Sequence, residues 1–294
     1  MDKFTLKCII KILMKLLATD LDGTLFYRKG FRHCISKKNI RFLQKFIDEG
    51  NKVCLVSSRS GFFTSKLKKE INRPIDFINC SSSEIIAGDK TIRNIGIDNK
   101  DLKKVLDDID KKYKPIGILI TTDKYPIVIK DLGRSGLLFK LFYKLWNFFQ
   151  FCYREKYIVD NKIFDEEVES GNVYKAMIFY GFGKKKSQLS KELNKILRDN
   201  YPEIESSWSS ILNELTPKNC SKGNGLEYYC KYINVKPGDV YCVGDSGNDI
   251  TMFLKYHENS FAMKHSYPSV KKYAHYVIPR VYNLAEYVLE GEKE

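Results

Sequence analysis

Apolar residues fall along this chain in two rhythms: short unbroken runs, and longer stretches where they return every three or four positions. The run "LLAT" predicts a strand over about 15–19. In "SKKNIRFLQKFIDEG" the apolar positions Ile40, Phe42, Leu43, Phe46 and Ile47 recur at helical spacing, and Gly50 supplies a stop. "KVCLVSS" reads as a second buried strand, "GFFTSKLKKE" as a helix and "PIDFINC" as a third strand. Strands that lack polar alternation and are joined through helices belong to a parallel sheet covered on both faces. The same rhythm returns late in the chain. "SKGNGLEYYCKYI" predicts a helix, "VYCVGDSGND" a strand running into a loop, "ITMFLKY" another helix, and "SFAMK" and "HYVIP" short strands that extend the sheet.

Between these blocks the character changes. Residues 86–205 mix candidate strands ("IGILITT", "YPIVIK", "VYKAMIFY") with helices ("NKDLKKVLDDIDKKY", "KKKSQLSKELNKILRDNY"). The expected fold is therefore α/β: a Rossmann-like parallel core from residues 14–85 and 206–294, with an inserted α+β domain over 86–205. Residues 1–13 form an N-terminal extension with lysines at 3, 7 and 11. It reads either as a weakly amphipathic helix or as sequence ahead of a natural start at Met14, because "MKLLATD" is a complete lead into a strand. Segment 137–151, "LLFKLFYKLWNFFQF", is apolar around most of a helix, with Lys140, Lys144 and Asn147 as a narrow polar stripe. Packing inside the inserted domain is the first expectation for it; a lid or subunit contact and a membrane surface are the others.

Composition narrows the class. Of 294 residues, 43% are hydrophobic and 29% charged, the balance of a globular chain rather than a disordered one. No run reaches the roughly 18 uncharged apolar residues of a membrane span. The net charge of +14 raises the possibility of a polyanion partner, but the excess is spread through the chain, +5 within 86–205 and +9 elsewhere. A solvated basic surface is the plainer reading, so no nucleic acid is expected. Eight cysteines include no CxxC pair and no grouping with the four histidines, which speaks against zinc. Their use as small core residues suits a reducing, cytoplasmic setting.

Four clusters at the ends of predicted elements carry the chemistry: Asp20-Leu21-Asp22-Gly23-Thr24, Ser57-Ser58-Arg59, Lys222, and Gly244 through Asp249. Ligands of open α/β sheets gather at that edge. Asp20, Asp245 and a backbone carbonyl near Asp22 offer hard oxygen ligands suited to Mg²⁺. Ser57 and nearby backbone N–H groups suit phosphate oxygens, and Lys222 adds a point positive charge. One aspartate of the first pair can attack phosphorus, and its neighbour can protonate the leaving alcohol and then activate water.

This layout resembles the haloacid dehalogenase superfamily of Mg²⁺-dependent phosphatases, and within it the Cof-like sugar-phosphatase branch with its large inserted cap. "DLDGTL" is similar to the first motif of that family throughout, and "GDSGND" to its fourth. The resemblance implies Asp20 as nucleophile, Asp22 as general acid/base and Lys222, in "SKG", as the third-motif lysine. It implies Asp20, Asp22 and Asp245 around Mg²⁺. Ser57, Ser58, Arg59 and Asn248 would then meet the phosphate or substrate, with Asp249 in support. Two departures stand out. Ser57-Ser58-Arg59 replaces the branch's Thr-Gly-Arg, and "MKHS" (Met263–Ser266) replaces its Met-Gly-Asn-Ala, leaving Lys264 or His265 where the asparagine would be. The implied activity is hydrolysis of a small phosphorylated metabolite, a sugar phosphate, by a monomer or homodimer. A phosphomutase of the same fold, or a polyanion- or RNA-binding protein on this scaffold, are the alternatives.

Overall fold

The computed structural model describes residues 14–29, 32–150, 154–209 and 212–289. The N-terminal extension expected over 1–13 lies outside the described residues. The chain begins with β1 (Leu16–Thr19), the hairpin β2 (Phe26–Lys29) and β3 (Arg32–Ile35), α1 (Lys37–Asp48), β4 (Lys52–Val56), α2 (Thr64–Ile71), β5 (Asp76–Asn79), β6 (Glu84–Ala87) and β7 (Lys90–Asn94). Next come α3 (Asn99–Tyr113), β8 (Gly117–Thr122), β9 (Val128–Ile129), α4 (Leu137–Phe149), β10 (Ile158–Val159), α5 (Asn161–Ser170), β11 (Val173–Phe179), α6 (Lys184–Asn200), β12 (Ile204–Ser209) and β13 (Leu212–Pro217). The last part holds α7 (Lys222–Ile233), β14 (Val240–Gly244), α8 (Ile250–Lys255), β15 (Ser260–Met263), α9 (Pro268–Lys271), β16 (Tyr276–Ile278) and α10 (Ala285–Val288).

The core is an eight-stranded sheet in the order β16-β15-β14-β1-β4-β5-β6-β7, parallel from β16 to β5 and closed by an antiparallel hairpin. Alternation along β1 explains why its first three positions, Leu16, Leu17 and Ala18, are all apolar. Leu17 faces Phe42, Leu43 and Phe46 of α1 and Leu67 of α2, while Leu16 and Ala18 face Leu226 and Tyr229 of α7 and Met252 and Phe253 of α8. Helices thus cover both faces, as buried parallel strands require.

The cap is a six-stranded sheet in the order β10-β9-β8-β11-β13-β12. Leu102 and Val105 of α3, Phe164 of α5 and Leu193 of α6 fill one face with Ile118, Ile120 and Ile178. On the other face Phe139 and Tyr143 of α4 pack on Leu119, Ile129 and Phe179. Gly117 leaves the room: a Cβ there would stand 2.4 Å from the Phe139 ring.

Two expectations change. β6 and β7 pair into the core sheet, and β12 and β13 into the cap sheet, so the chain changes sheets near 95–97 and 217–219 rather than at 86 and 205. Each of these pairs is a hairpin whose own pattern does not say which sheet it joins. Of segment 137–151, α4 packs in the cap by one side only, because no second layer among the described residues covers it; Leu137, Leu141, Leu145 and Phe149 are exposed. Among the described residues no helix is long and apolar enough to cross a membrane.

Candidate active site

β1 lies between β14 and β4, and the loops leaving the C-terminal ends of these three strands meet. Asp20 follows β1, Ser57 follows β4 and Asp245 follows β14. The Asp20 amide donates to the Val243 carbonyl at 3.0 Å, which fixes the nucleophile candidate against the neighbouring strand. The turn beyond it needs glycine. Gly23 has φ +85°, and a Cβ there would lie 2.3 Å from Asp245 Oδ2.

Lys222 opens α7, whose N-terminus is capped by Ser221 Oγ accepting from the Asn224 amide at 3.2 Å. Its Nζ donates to Asp20 Oδ1 and to Asp249 Oδ1, each at 2.6 Å, and the residue is only 1% exposed. Asp249 Oδ2 accepts from the amides of Asp245 and Ser246, both at 3.0 Å. Asp249 is therefore a strut that ties Lys222 to the Asp245 loop.

Carboxylate oxygens of Asp20, Asp245 and Asp249 all lie within 4.8 Å of one another. Burial pushes the Asp20 carboxyl well above the usual carboxylate range, against the pull of Lys222, with Asp249 and Asp245 adding to the rise. Burial, then Asp249, push Asp245 up to about 6, against Lys222 and His265. Lys222 moves upward too. Burial disfavours its charge, but Asp20 and Asp249 more than offset that. Both members of one ion pair shift upward for different reasons: burial outweighs the pull of Lys222 on Asp20, whereas two carboxylates together outweigh burial on Lys222. When all three carboxylates are ionised, the set holds two negative charges beyond what Lys222 balances.

Asp20 Oδ2 is buried with no hydrogen-bond partner among the described residues. The carboxylates of Asp20 and Asp245, close to one another and to Asp249 and with surplus negative charge, are a set of hard donors that fits Mg²⁺. Of the ligands expected from sequence, Asp20 and Asp245 converge. The Asp22 side chain does not join them, and the third member of the carboxylate group is Asp249.

Asp22 turns instead to Arg59. Arg59 Nε donates to Asp22 Oδ2 at 2.5 Å and Nη2 to Oδ1 at 2.7 Å, a two-pronged grip. The same Nη2 donates to Oε1 of Gln150, at the end of α4, at 2.9 Å. Ser57 is buried, and its Oγ accepts from the Arg59 amide at 3.0 Å. Ser58 Oγ lies 3.0 Å from Ser81 Oγ and accepts from Asn248 Nδ2 at 3.0 Å, so the second and fourth clusters touch. His265 Nε2 stands 3.6 Å from Asp245 Oδ2, whereas Lys264 is exposed.

Sequence reasoning missed the cap's share. Lys175 of β11 is buried and donates to the Ser58 carbonyl at 2.7 Å, with Glu214 of β13 at 4.0 Å. Burial works against the Lys175 charge, yet Glu214, then Cys80 and Glu155, hold its pKa above the usual lysine value. Ser60 Oγ donates to Glu155 Oε1 at 3.2 Å, and Ser81 Oγ to Glu214 Oε1 at 3.3 Å. Ser81 stands in a run of three positive-φ residues, Cys80, Ser81 and Ser82, a strained turn of the kind found at sites. One signal was available: Lys175 is the lone charge in the apolar strand "VYKAMIF".

Comparison with known proteins agrees with this geometry. The haloacid dehalogenase-like hydrolase family matches residues 17–285. The 5-amino-6-(5-phospho-D-ribitylamino)uracil phosphatase YwtE of Bacillus subtilis (strain 168) is 25% identical over 252 residues, 82% of this chain and 84% of that protein. A sugar phosphatase of haloacid dehalogenase subclass IIB superposes with TM-score 0.72 at 19% identity, over 93% of this chain and 98% of that one. A haloacid dehalogenase-like hydrolase from Bacteroides thetaiotaomicron superposes with TM-score 0.73 at 21% identity, over 94% and 99%. The chain belongs to the haloacid dehalogenase-like hydrolases and is an enzyme of their phosphatase kind.

Proposed function

We propose that the protein hydrolyses a small phosphorylated metabolite, a sugar phosphate, with Mg²⁺ and through an aspartyl-phosphate on Asp20. The observation that carries this is the state of the Asp20 carboxylate: Oδ1 is held by Lys222, while Oδ2 is buried and unbonded, with its lone pairs available to phosphorus. Asp20, Asp245 and the backbone carbonyl of Asp22 would hold the metal. When bound, Mg²⁺ neutralises charge between these oxygens and the phosphate.

In the first step Asp20 Oδ2 forms a bond to phosphorus as the ester P–O bond breaks, and Asp22 gives its proton to the departing alcohol. In the second, Asp22 takes a proton from water, the oxygen of that water bonds to phosphorus, and the Asp20 carboxylate leaves. Asp22 can donate only after Arg59 releases one of its oxygens, and an arriving phosphate is an anion able to compete for that guanidinium. The sugar class draws support from the subclass IIB sugar phosphatase whose fold this chain shares.

Phosphate release across a panel of sugar phosphates and other phosphomonoesters, with Mg²⁺ or with excess chelator, tests the reading. Turnover should need Mg²⁺. Asp20→Asn should lower it by more than about 10³-fold, since an amide cannot serve as this nucleophile. Acid-quenched enzyme should carry phosphate on the peptide containing Asp20. Wild-type turnover in Asp20→Asn, or full activity in chelator, overturns it.

A further inference from the structure

The side of α4 turned away from the cap sheet is apolar. At about 100° per residue, Phe139 and Tyr143 define the packed side, and Leu137, Leu138, Leu141, Leu145 and Phe149 lie across from it. The four leucines are 52–65% exposed, and Phe149 is 49% exposed. Phe142, packed edge-on against Phe182 at 4.9 Å, widens the apolar area, since Phe182 is itself exposed. An apolar face of this size on a soluble chain marks a contact.

The charges around this face say with what. Between Lys130 and Lys156 there are six basic residues and two acidic ones, and no acid stands between Asp131 and Glu155. Lys140 is engaged with Asp131 at 2.7 Å, whereas Lys144 is exposed at the border of the apolar stripe, and Arg134 and Lys156 are exposed at its two ends. Behind them the whole chain carries +14. A second copy on this face would bring one basic fringe against another. An anionic bilayer offers what the face lacks: hydrocarbon for leucine and phenylalanine, and negative headgroups within reach of the flanking lysines. We propose that α4 docks the enzyme on an anionic lipid surface, lying in the plane of the headgroups with its leucine face entering the acyl boundary. The docked helix ends on Gln150, which holds Arg59, so the lipid-facing surface and the active site share one element.

The test uses the full chain and vesicles of phosphatidylcholine with phosphatidylglycerol, against phosphatidylcholine alone. Protein should co-sediment with the anionic vesicles and much less with the neutral ones. Leu141→Ser/Leu145→Ser/Phe149→Ser should cut the bound fraction on the order of tenfold while leaving hydrolysis of a soluble phosphomonoester unchanged. Lys144→Glu keeps the apolar face and should weaken binding to the anionic vesicles alone. In Trp146→Phe/Trp208→Phe/Leu141→Trp the single tryptophan stands on the leucine face, and its emission should shift to the blue with anionic vesicles. Equal sedimentation with and without anionic vesicles, or emission from a tryptophan at position 141 that does not move, overturns the proposal. So does a dimer in vesicle-free buffer that the serine variant converts to a monomer, which would assign the face to a second copy.

Discussion

The carboxylate cluster and the seam between core and cap stand side by side and are built differently. In the cluster, backbone groups do the fixing: the Asp20 amide on Val243, the amides of Asp245 and Ser246 on Asp249, and a fully buried Lys222 between two carboxylates. Across the seam, side chains carry every bridge described above: Arg59 to Gln150, Ser60 to Glu155, Ser81 to Glu214, and Lys175 to the Ser58 carbonyl. The first arrangement holds reacting groups to within fractions of an ångström; the second joins surfaces that can part. Under the proposed function, the chemistry would sit on the rigid half and the admission of substrate on the half that can part.

Changes in the cluster should damage reaction or folding, and changes in the seam should barely do either. Asp22→Asn should lower turnover of an alkyl phosphate by roughly 10²–10⁴-fold. It should still form phosphoenzyme from an activated aryl phosphate, whose leaving group needs no proton; rapid-quench kinetics on the two substrates separate the steps. Lys222→Met leaves Asp20 and Asp249 buried without their cation, and should cost about 3–5 kcal/mol in urea unfolding.

Asp245 sharpens the comparison through pH. Its carboxyl rises from 3.8 to about 6 on folding, with Asp249, Asp22, Lys222 and His265 around it. Between those values the folded chain binds more protons than the unfolded one. In chelator its contribution is therefore fully present below 3.8 and is lost as pH rises through about 6. Asp245→Asn should raise the melting temperature at neutral pH in chelator and abolish the stabilisation that Mg²⁺ gives the wild type, as read by differential scanning fluorimetry. The smallest effect belongs to the seam. Gln150→Ala should change kcat less than roughly threefold and stability by no more than about 1 kcal/mol, with any loss appearing in KM.

What was legible in the sequence was local. Asp20 and Asp22 after "LLAT", and Asp245 after "VYCVG", stand at strand ends that apolar runs announce, and the helix over 99–113 follows from its own spacing. What was hidden depends on partners far along the chain. Arg59 meets Gln150 across 91 positions, and Lys175 meets Ser58 across 117. Asp22 was expected as the acid/base group with its backbone carbonyl near the metal, and nothing local showed that its side chain would be gripped by Arg59, 37 positions along. The sheet boundaries were misplaced for the same reason: hairpin periodicity is identical whichever sheet receives the hairpin. Half of α4 is core, as its apolar spacing led one to expect; the other half is exposed, and its apolar pattern is what the lipid contact proposed above would explain.

The position of β1 has a consequence for the order in which this molecule can be made. One edge of β1 pairs with β4, which follows soon after it in the chain, and the other with β14, which begins only at Val240. Roughly 220 residues separate them, so at translation speeds of about 5–20 residues per second β1 keeps an open apolar edge for roughly 10–45 s. Throughout that interval the nascent chain can hold the aspartate loop and the whole cap, but not Lys222 in its final place, because the strand and helix that seat it have yet to emerge. The first motif is synthesised early and assembled last, and until then its central strand is a sticky edge for any chaperone or neighbouring chain to meet.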